Sequence, residues 1–278
     1  MTTLRQSVSL LLCILLIIKY IELLKEIVIS IQAYFKAHDF IQKHKLWRWI
    51  IIPGILYAML FVVSMYFFSQ SATAVIEYLT TEIGLQAWII KLHDSWIGFL
   101  FTMGGVILWL TLMLLYFSLF KYIWLIIGSP VFSYLSEKTS SIIEGKTFDF
   151  QLKQYLSDVI RGIIVAARNT VWQSVYIISI ILLSLFPLIG WISPMIAVIL
   201  ECYYYGFSMI DYTCERRKMN MEKSIDFISQ HKGLAVGNGI VFYFFHVIPF
   251  VGWVLAPAYA VIAATISMHH IEDNHGLL

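Results

Sequence analysis

Two long stretches without a charged residue constrain this chain more than any other feature of its sequence. Residues 49–68 form an apolar run of 20 residues, and residues 96–120 form a run of 25. At about 1.5 Å per residue, a helix over the shorter run reaches about 30 Å, which is the thickness of a bilayer's hydrocarbon core. Only 13% of all residues are charged, against about 25% in soluble domains. We therefore predict an all-α integral membrane protein with two long transmembrane helices.

The distribution of Lys and Arg predicts how these helices are oriented. Residues 25–48 hold five cationic residues, whereas the linker at residues 69–95 holds only Lys91. Because cytoplasmic segments carry the excess of cations, the linker is expected outside the cell. Residues 121–168 hold six cations and residues 211–236 hold five. The N- and C-terminal regions of the core are therefore predicted on the cytoplasmic side of the membrane.

The N-terminus is similar to a signal peptide but has a different continuation. Arg5 precedes the apolar run 8–18, yet no small-residue cleavage site follows. Charged residues instead alternate with apolar residues at helical spacing, which indicates an amphipathic helix on the membrane surface. We expect residues 1–24 to be a hydrophobic extension of one membrane domain at residues 25–268, followed by a polar tail at residues 269–278.

A second interfacial helix is predicted after the second apolar run. Ser129 and Pro130 have the pattern of a helix N-cap and a first helical residue, and Gly145 has the pattern of a helix stop. Apolar and polar residues between them fall on different faces. This amphipathic pattern indicates a helix on the cytoplasmic surface.

Two proline-split apolar hairpins occupy the second half of the chain, at residues 171–210 and 240–268. Seven identical positions relate them, which indicates an internal duplication, with two independent Pro/Gly turns as the alternative. The matched residues are Pro187, Gly190 and Trp191, which recur 62 residues later as Pro249, Gly252 and Trp253, and Pro194, Ala197, Val198 and Ile199, which recur 63 residues later as Pro257, Ala260, Val261 and Ile262.

The hairpin limbs are short for membrane spans. Residues 171–186 reach about 24 Å and residues 240–248 about 14 Å. Cations flank both ends of each hairpin, and neither turn contains Lys or Arg. These features favour re-entrant hairpins that penetrate the membrane halfway, while four thin or tilted full spans remain the alternative.

The hairpin apices have the features of an anion site. A helix that begins inside the bilayer directs unpaired N–H groups and the positive end of its dipole into the protein. Ser193 and Pro194 predict one such start, with Ser193 as the N-cap. Pro257, preceded by alanine, predicts the second. Gly190 and Gly252 at the two apices are candidates for lining the pathway.

Four ionisable residues are further candidates. Arg48, between two tryptophans, is either an anion ligand or an interfacial anchor. Arg168 either lines the pathway or extends to the cytoplasmic surface. Glu201 is expected to pair with Arg168 or to act as an intramembrane proton site. His246 is either a proton-exchanging group or a packing histidine.

No motif indicates an enzyme, a metal or a cofactor. The three cysteines lack metal-ligand spacing, and no P-loop, HExxH or GxSxG motif is present. His269, His270, Asp273 and His275 are expected to be solvated in the polar tail. The cations follow membrane boundaries instead of forming a recognition face for nucleic acid.

Several short motifs are spread over residues 25–268. They are Lys45-Leu46-Trp47-Arg48 leading into Ile50-Ile51-Ile52-Pro53, Ser129-Pro130-Val131-Phe132 with Leu135 and Glu137, Gly206 and Ile210-Asp211-Tyr212, and Ile248-Pro249, Pro257 and Ala263-Ala264-Thr265. This pattern resembles the CysZ family of bacterial inner-membrane sulfate permeases, within the wider etoposide-induced-protein family. The resemblance implies a location in the cell's inner (plasma) membrane, two spanning helices, two half-penetrating hairpins, a homo-oligomer and sulfate passage for assimilation.

The resemblance also implies a role for Arg48. Members of the family carry an arginine pair before the first membrane segment that is associated with sulfate binding. Arg48 stands at the second position of that pair, and Trp47 occupies the first. Lys45 is the candidate for the second charge, since residues three apart share a helix face. A permease or channel for a small inorganic anion, sulfate first, is therefore predicted, with a non-transporting membrane scaffold as the alternative.

Overall fold

The computed structural model describes residues 2–81, 96–146, 152–184 and 190–275, which consist of helices joined by turns. This confirms the all-α prediction for the described part of the chain. The helices there are α1 (Thr2–His44), α2 (Trp47–Thr81), α3 (Trp96–Ile143), α4 (Leu152–Ser184), α5 (Ser193–Arg216), α6 (Met221–Gln230), α7 (Lys232–His246) and α8 (Val251–His275).

Three stretches of the described helices are long and apolar enough to cross a membrane. They are Trp47–Ala72 in α2, Ile160–Leu183 in α4 and Val251–Ile271 in α8. The first contains the predicted run 49–68 and confirms it. The predicted run 96–120 lies within helical backbone of α3, although most of its side chains fall outside the described residues. The chain is therefore a helical membrane protein.

The first hairpin limb is longer than its sequence indicated. The apolar stretch of α4 is 24 residues long, because it includes Arg161 and Arg168, where the sequence-based limit at residue 171 excluded them. Its length of about 36 Å is enough to cross the hydrocarbon core, so the limb is not too short. The apolar part of α7, Lys232–Phe245, remains shorter than a span. The two hairpins thus differ in the length of their first limbs.

Pro130 lies inside α3 instead of starting a new helix, so the predicted start at Ser129 is wrong. A proline cannot donate to the carbonyl four residues earlier, which here is that of Ile126. The Ser129 hydroxyl donates to that carbonyl at 3.1 Å and satisfies it. The predicted stop is confirmed: α3 ends at Ile143, and Gly145 has φ of 65°, the left-handed conformation common after a helix.

The two predicted half-helix starts also differ from the structure. α8 begins at Val251 and continues through Pro257, so the predicted start at Pro257 is wrong. Ile192 occupies the N-cap position of α5, and the Ser193 hydroxyl donates to the carbonyl of Gly190 at 2.7 Å. The prediction that Ser193 is the N-cap is therefore wrong. Neighbouring helices make an internal proline such as Pro257 tolerable, because they replace part of its lost bonding.

α8 is the central helix of the described bundle. It packs against α1, α2, α3, α5 and α7, and 72% of its apolar stretch is buried, against 22% in α2 and 33% in α4. Small side chains let its neighbours approach closely. A Cβ on Gly54 of α2 would lie 2.0 Å from the carbonyl oxygen of Val254. The buried alanines of α8 are Ala256, Ala258, Ala260, Ala263 and Ala264.

α5 and α7 cross with their backbones in contact. A Cβ on Gly206 of α5 would lie 1.9 Å from the Ala235 carbonyl oxygen, and a Cβ on Gly239 of α7 would lie 2.0 Å from that of Cys202. Both glycines are required here by close approach. This crossing holds the two hairpins together.

α1 is one continuous helix that packs on α7 and α8. Glu26 of α1 accepts the N–H of Gly233 at 3.0 Å and lies 2.6 Å from Nδ1 of His231. Its carboxylate thus satisfies an amide at the N-terminus of α7 and complements the positive end of that helix. The expected domain boundary at residue 24 falls within this helix.

Candidate functional site

Lys45 and Arg48 lie at the junction of α1 and α2. Lys45 separates the helices with φ of 54°, and both side chains are exposed. Neither makes a side-chain hydrogen bond or ion pair with another described residue. Trp49 beside them stacks on Tyr134 of α3, with 4.3 Å between ring centroids. The junction therefore presents two exposed cations, Lys45 in the turn and Arg48 in the first turn of α2, so the shared helix face expected for them is not present.

The hairpin apices do not present the free amides that their sequence indicated. Gly190 and Gly252 are both buried. The carbonyl of Gly190 accepts the Ser193 hydroxyl, and the N–H of Gly252 donates to the Ile248 carbonyl at 3.0 Å. The amide of Val254 likewise donates to the carbonyl of Phe250. Turn carbonyls thus occupy positions that a bound anion would require.

The second apex lies apart from Arg48. Gly54, which contacts Val254 near the start of α8, follows Arg48 by six residues, or about 9 Å along α2. No hydrogen bond or ion pair among the described residues joins Arg48 to Ser193 or Gly252. His246 is the last residue of α7, and its side chain lies outside the described residues.

Glu201 lies at the centre of a largely buried polar network and pairs with Lys121 of α3, with 2.9 Å between Nζ and Oε2. The expected partner, Arg168, is not bound to it. Gln173 of α4 donates to the second carboxylate oxygen at 2.5 Å and accepts from Nζ of Lys121 at 2.8 Å. Tyr243 of α7 donates to Oε2 of Glu201, and Tyr122 donates to Gln173. The network is neutral overall and joins four helices.

The role of Lys121 was missed because it was grouped with the cytoplasmic cations. Its sequence surroundings carry the signal: an uncharged run precedes it, and residues 122–128 after it contain no charge. A lysine inside apolar sequence needs a partner at that depth. Which carboxylate supplies it depends on the packing of helices 80 residues apart.

A second buried ion pair lies between α4 and α5. Arg161 donates to Asp211 at 3.1 Å and to the backbone carbonyl of Met219 at 2.7 Å. The Ser224 hydroxyl of α6 also donates to Asp211. The pair fixes the turn between α5 and α6 against α4, so both charges are used within the fold.

Arg168 differs from these two cations because no carboxylate in the described part of the chain forms an ion pair with it. Its Nη1 donates to Oδ1 of the adjacent Asn169 at 3.3 Å, and the guanidinium is partly exposed. Asn169 is completely buried, and its Nδ2 has no hydrogen-bond partner among the described residues. A cation and an unsatisfied amide donor therefore lie side by side.

Hydroxyl groups line the contact between α3, α5 and α8. Thr213 and Thr265 lie 3.0 Å apart, and Ser136 lies 3.4 and 3.3 Å from them. The sequence patterns did not identify this cluster, since isolated Ser and Thr residues in apolar helices carry no spacing signal. It forms an uncharged polar contact at the core.

One of the C-terminal histidines, His269, differs from expectation. α8 continues to His275, and His269 is buried with Nε2 3.3 Å from the Ser140 hydroxyl of α3. The His269 side chain is thus packed within the protein instead of being solvated. Nearby, the hydrogen bond from Lys146 lowers the pKa of Glu144, whose carboxylate lies 3.8 Å from His269.

Comparison with known proteins identifies the family. Residues 33–257 match the model of the family described as Sulfate transporter CysZ/Etoposide-induced protein 2.4. A protein of Pseudomonas syringae pv. tomato named Sulfate transporter CysZ is 25% identical over 178 residues, which cover 62% of this chain and 68% of that protein. One of the same name from Pseudomonas fluorescens is 26% identical over 144 residues, covering 51% of this chain and 57% of that protein. Because the family match spans most of its length, the chain belongs to the Sulfate transporter CysZ/Etoposide-induced protein 2.4 family.

Proposed function

We propose that this protein is a permease or channel for a small inorganic anion in the inner (plasma) membrane, with sulfate as the proposed substrate. The observation that carries the proposal is the family match over residues 33–257, together with two relatives named as sulfate transporters. The cation-rich segments around α1 and α6 support a cytoplasmic position for both. The sequence contains no P-loop, so the proposal assigns the chain no energy-coupling chemistry of its own.

Arg48 and Lys45 are the proposed first contacts for sulfate on the cytoplasmic side. Both are exposed and make no hydrogen bond or ion pair with described residues, so their charges are available to a ligand. Arg offers paired N–H groups that fit two oxygens of a tetrahedral anion. The alternative interpretation is that Lys45 and Arg48 only anchor the chain at the membrane interface. It predicts that neutral substitutions of these residues leave the sulfate flux unchanged.

A homo-oligomer is the proposed working assembly, and a re-entrant course is proposed only for the second hairpin, whose first limb in α7 is shorter than a span. Within the described residues, the Lys121 network has all its charges paired, and a narrow cavity between α2, α3 and α8 has an apolar lining that includes Ile50, Trp124 and Leu135. Neither offers a wide polar route inside one protomer. Apolar residues on α2 and α4 remain exposed, which supports packing of those helices against lipid or other copies.

Sulfate flux into liposomes tests the proposal. Purified protein is reconstituted, and uptake of radiolabelled sulfate is compared with that of empty liposomes at several pH values. We expect uptake above background, reduced about tenfold or more in a Lys45→Gln, Arg48→Gln double variant, since charge-assisted contacts to the anion are removed. Lys218→Gln, on an exposed turn, is the matched control. Absence of flux from the wild-type protein would contradict transport and favour the scaffold alternative.

A further inference from the structure

Arg168 lies in the apolar stretch of α4 and has no carboxylate in contact with it among the described residues. Lys121 is paired with Glu201, and Arg161 with Asp211. Arg168 donates only to the neutral amide oxygen of Asn169, and no described carboxylate lies within 4 Å. Its charge acts at longer range on Asp211, which is already paired with Arg161. An ionised group at membrane depth is costly unless it is paired or hydrated, so an anionic ligand is a candidate partner for Arg168.

Asn169 adds a donor at the same place. Its Oδ1 accepts from Arg168, so its Nδ2, on the same planar amide, lies close to the guanidinium. That nitrogen is buried and has no described partner, whereas buried amide donors are usually satisfied. A guanidinium and an unsatisfied N–H donor side by side favour an acceptor-only ligand with several oxygens.

Two tyrosines of α5 lie within electrostatic range of Arg168. Its charge acts on the phenol groups of both Tyr203 and Tyr204. Neither hydroxyl makes a hydrogen bond with a described residue, and each can donate one. The described carboxylate within range of the same charge, Asp211, is already paired with Arg161.

We infer that Arg168 and Asn169, with Tyr203 and Tyr204 within electrostatic range, form a binding subsite for a tetrahedral oxyanion between α4 and α5. Arg168 is eight residues from the start of the apolar stretch Ile160–Leu183, so the subsite lies about 12 Å along α4. Sulfate and the phosphate of an anionic lipid headgroup share the required chemistry. The sulfate form of this inference rests on the proposed transport function, because it places a second anion contact beyond Arg48.

Direct binding tests the subsite without using flux. Sulfate affinity is measured by calorimetry on Arg48→Gln protein in phospholipid-free detergent, which removes the other proposed contact. Adding Arg168→Gln or Asn169→Asp is expected to weaken the sulfate Kd about tenfold or more. Adding Lys218→Gln instead should leave it unchanged.

The Asn169→Asp variant separates loss of sulfate binding from loss of folding. It supplies Arg168 with a fixed carboxylate, so thermal stability should be retained while the anion is displaced. Loss of sulfate binding in a variant that melts like its parent is then attributable to the subsite. Arg168→Lys should bind sulfate more weakly than Arg, because the planar fork is lost.

Retention of phosphatidylglycerol, measured by native mass spectrometry on the same proteins, distinguishes the two ligand sources. Sulfate binding that depends on Arg168 supports a free anion, and lipid retention that depends on Arg168 while sulfate binding does not supports a headgroup. If both are unchanged by Arg168→Gln, or neither ligand binds the Arg48→Gln protein, the subsite is wrong. If the wild-type protein transports sulfate but Arg168→Gln leaves the binding of both ligands unchanged, only the subsite is refuted. If ligand binding depends on Arg168 but the wild-type protein transports no sulfate, only the transport proposal is refuted.

Discussion

The two hairpins share a sequence motif but occupy opposite environments. Ala197 of α5 and Ala260 of α8 are matched positions, and both are completely buried. The next matched positions diverge: Ile199 is 58% exposed, whereas Ile262 is 0% exposed. The motif therefore specifies a turn followed by a helix with one close-packed alanine, and the surrounding helices decide which copy lies at the centre.

The helix starts differ in the same way. Pro194 is the second residue of α5, where its missing N–H has no cost. Pro257 is the seventh residue of α8, where its missing N–H interrupts the helix. The proline that costs more is therefore in α8, the helix that packs against five others. Tertiary contacts thus compensate a local defect in the second hairpin that the peripheral hairpin does not have.

The largest expected effect comes from breaking the network that joins the hairpins. Glu201→Ala leaves Lys121 buried without its carboxylate, and we expect a loss of about 3–5 kcal/mol of stability. Thermal unfolding in detergent, followed by circular dichroism, measures it. A Lys121→Met, Glu201→Met double variant should recover most of the loss. A stable single variant would show that the network is not what holds the hairpins together.

Matched isoleucines compare the hairpins directly. Ile262→Ala leaves a cavity beside tightly packed neighbours and should cost about 2–5 kcal/mol. Ile199→Ala, at the equivalent exposed position, should cost less than about 0.5 kcal/mol. The same unfolding assay applies to both. Equal losses would mean that α5 is covered as fully as α8 in the assembled protein.

Tyr243→Phe weakens the link from the second hairpin to Glu201. The variant loses one hydrogen bond to a carboxylate that keeps Lys121 and Gln173, so we expect a cost of about 1.5 kcal/mol. Tyr176→Phe is the control, because that phenol makes no hydrogen bond with a described residue. A difference in melting temperature between the two variants isolates the hydroxyl. Identical melting curves would refute the contribution.

The smallest expected effect concerns α1, which covers the second hairpin. Glu26→Gln removes negative charge from the N-terminus of α7 and from His231, at a cost of about 0.5–1 kcal/mol. Glu22→Gln lies one turn earlier on an exposed part of α1 and should change little. Hydrogen exchange at the first amides of α7 reports the local effect. Unchanged protection in Glu26→Gln would exclude the helix-terminus contact.

Some of this architecture was predictable because it depends on composition within one segment. Residues 49–68 were identified as a span by length and the absence of charge, since a lipid-facing helix satisfies its own backbone. Gly145 marked the end of α3 because few other residues adopt its φ. Ser129 and Pro130 misled, because the same two residues serve as a helix start elsewhere and here repair a continuous helix.

The candidate site was less predictable because it depends on which helices meet. Glu201 was recognised as needing a partner, but Arg168 and Lys121 were equally available in the sequence. Packing of α3 against α5 selects Lys121, and this leaves Arg168 without a carboxylate. The start of the first limb was placed too late, at residue 171, for a related reason. Arg161 is tolerated in an apolar stretch because Asp211 neutralises it.

The Lys121–Glu201 pair has a consequence for biosynthesis. Lys121 leaves the ribosome 80 residues before Glu201, and at about 5–20 residues per second it waits roughly 4–16 seconds for its carboxylate. During that interval the second half of α3 carries an ammonium without the carboxylate that pairs with it in the folded protein, and such a charge is costly away from water. Completion of α5 is therefore the event that lets α3 take its final depth, which couples the insertion of one helix to the translation of another.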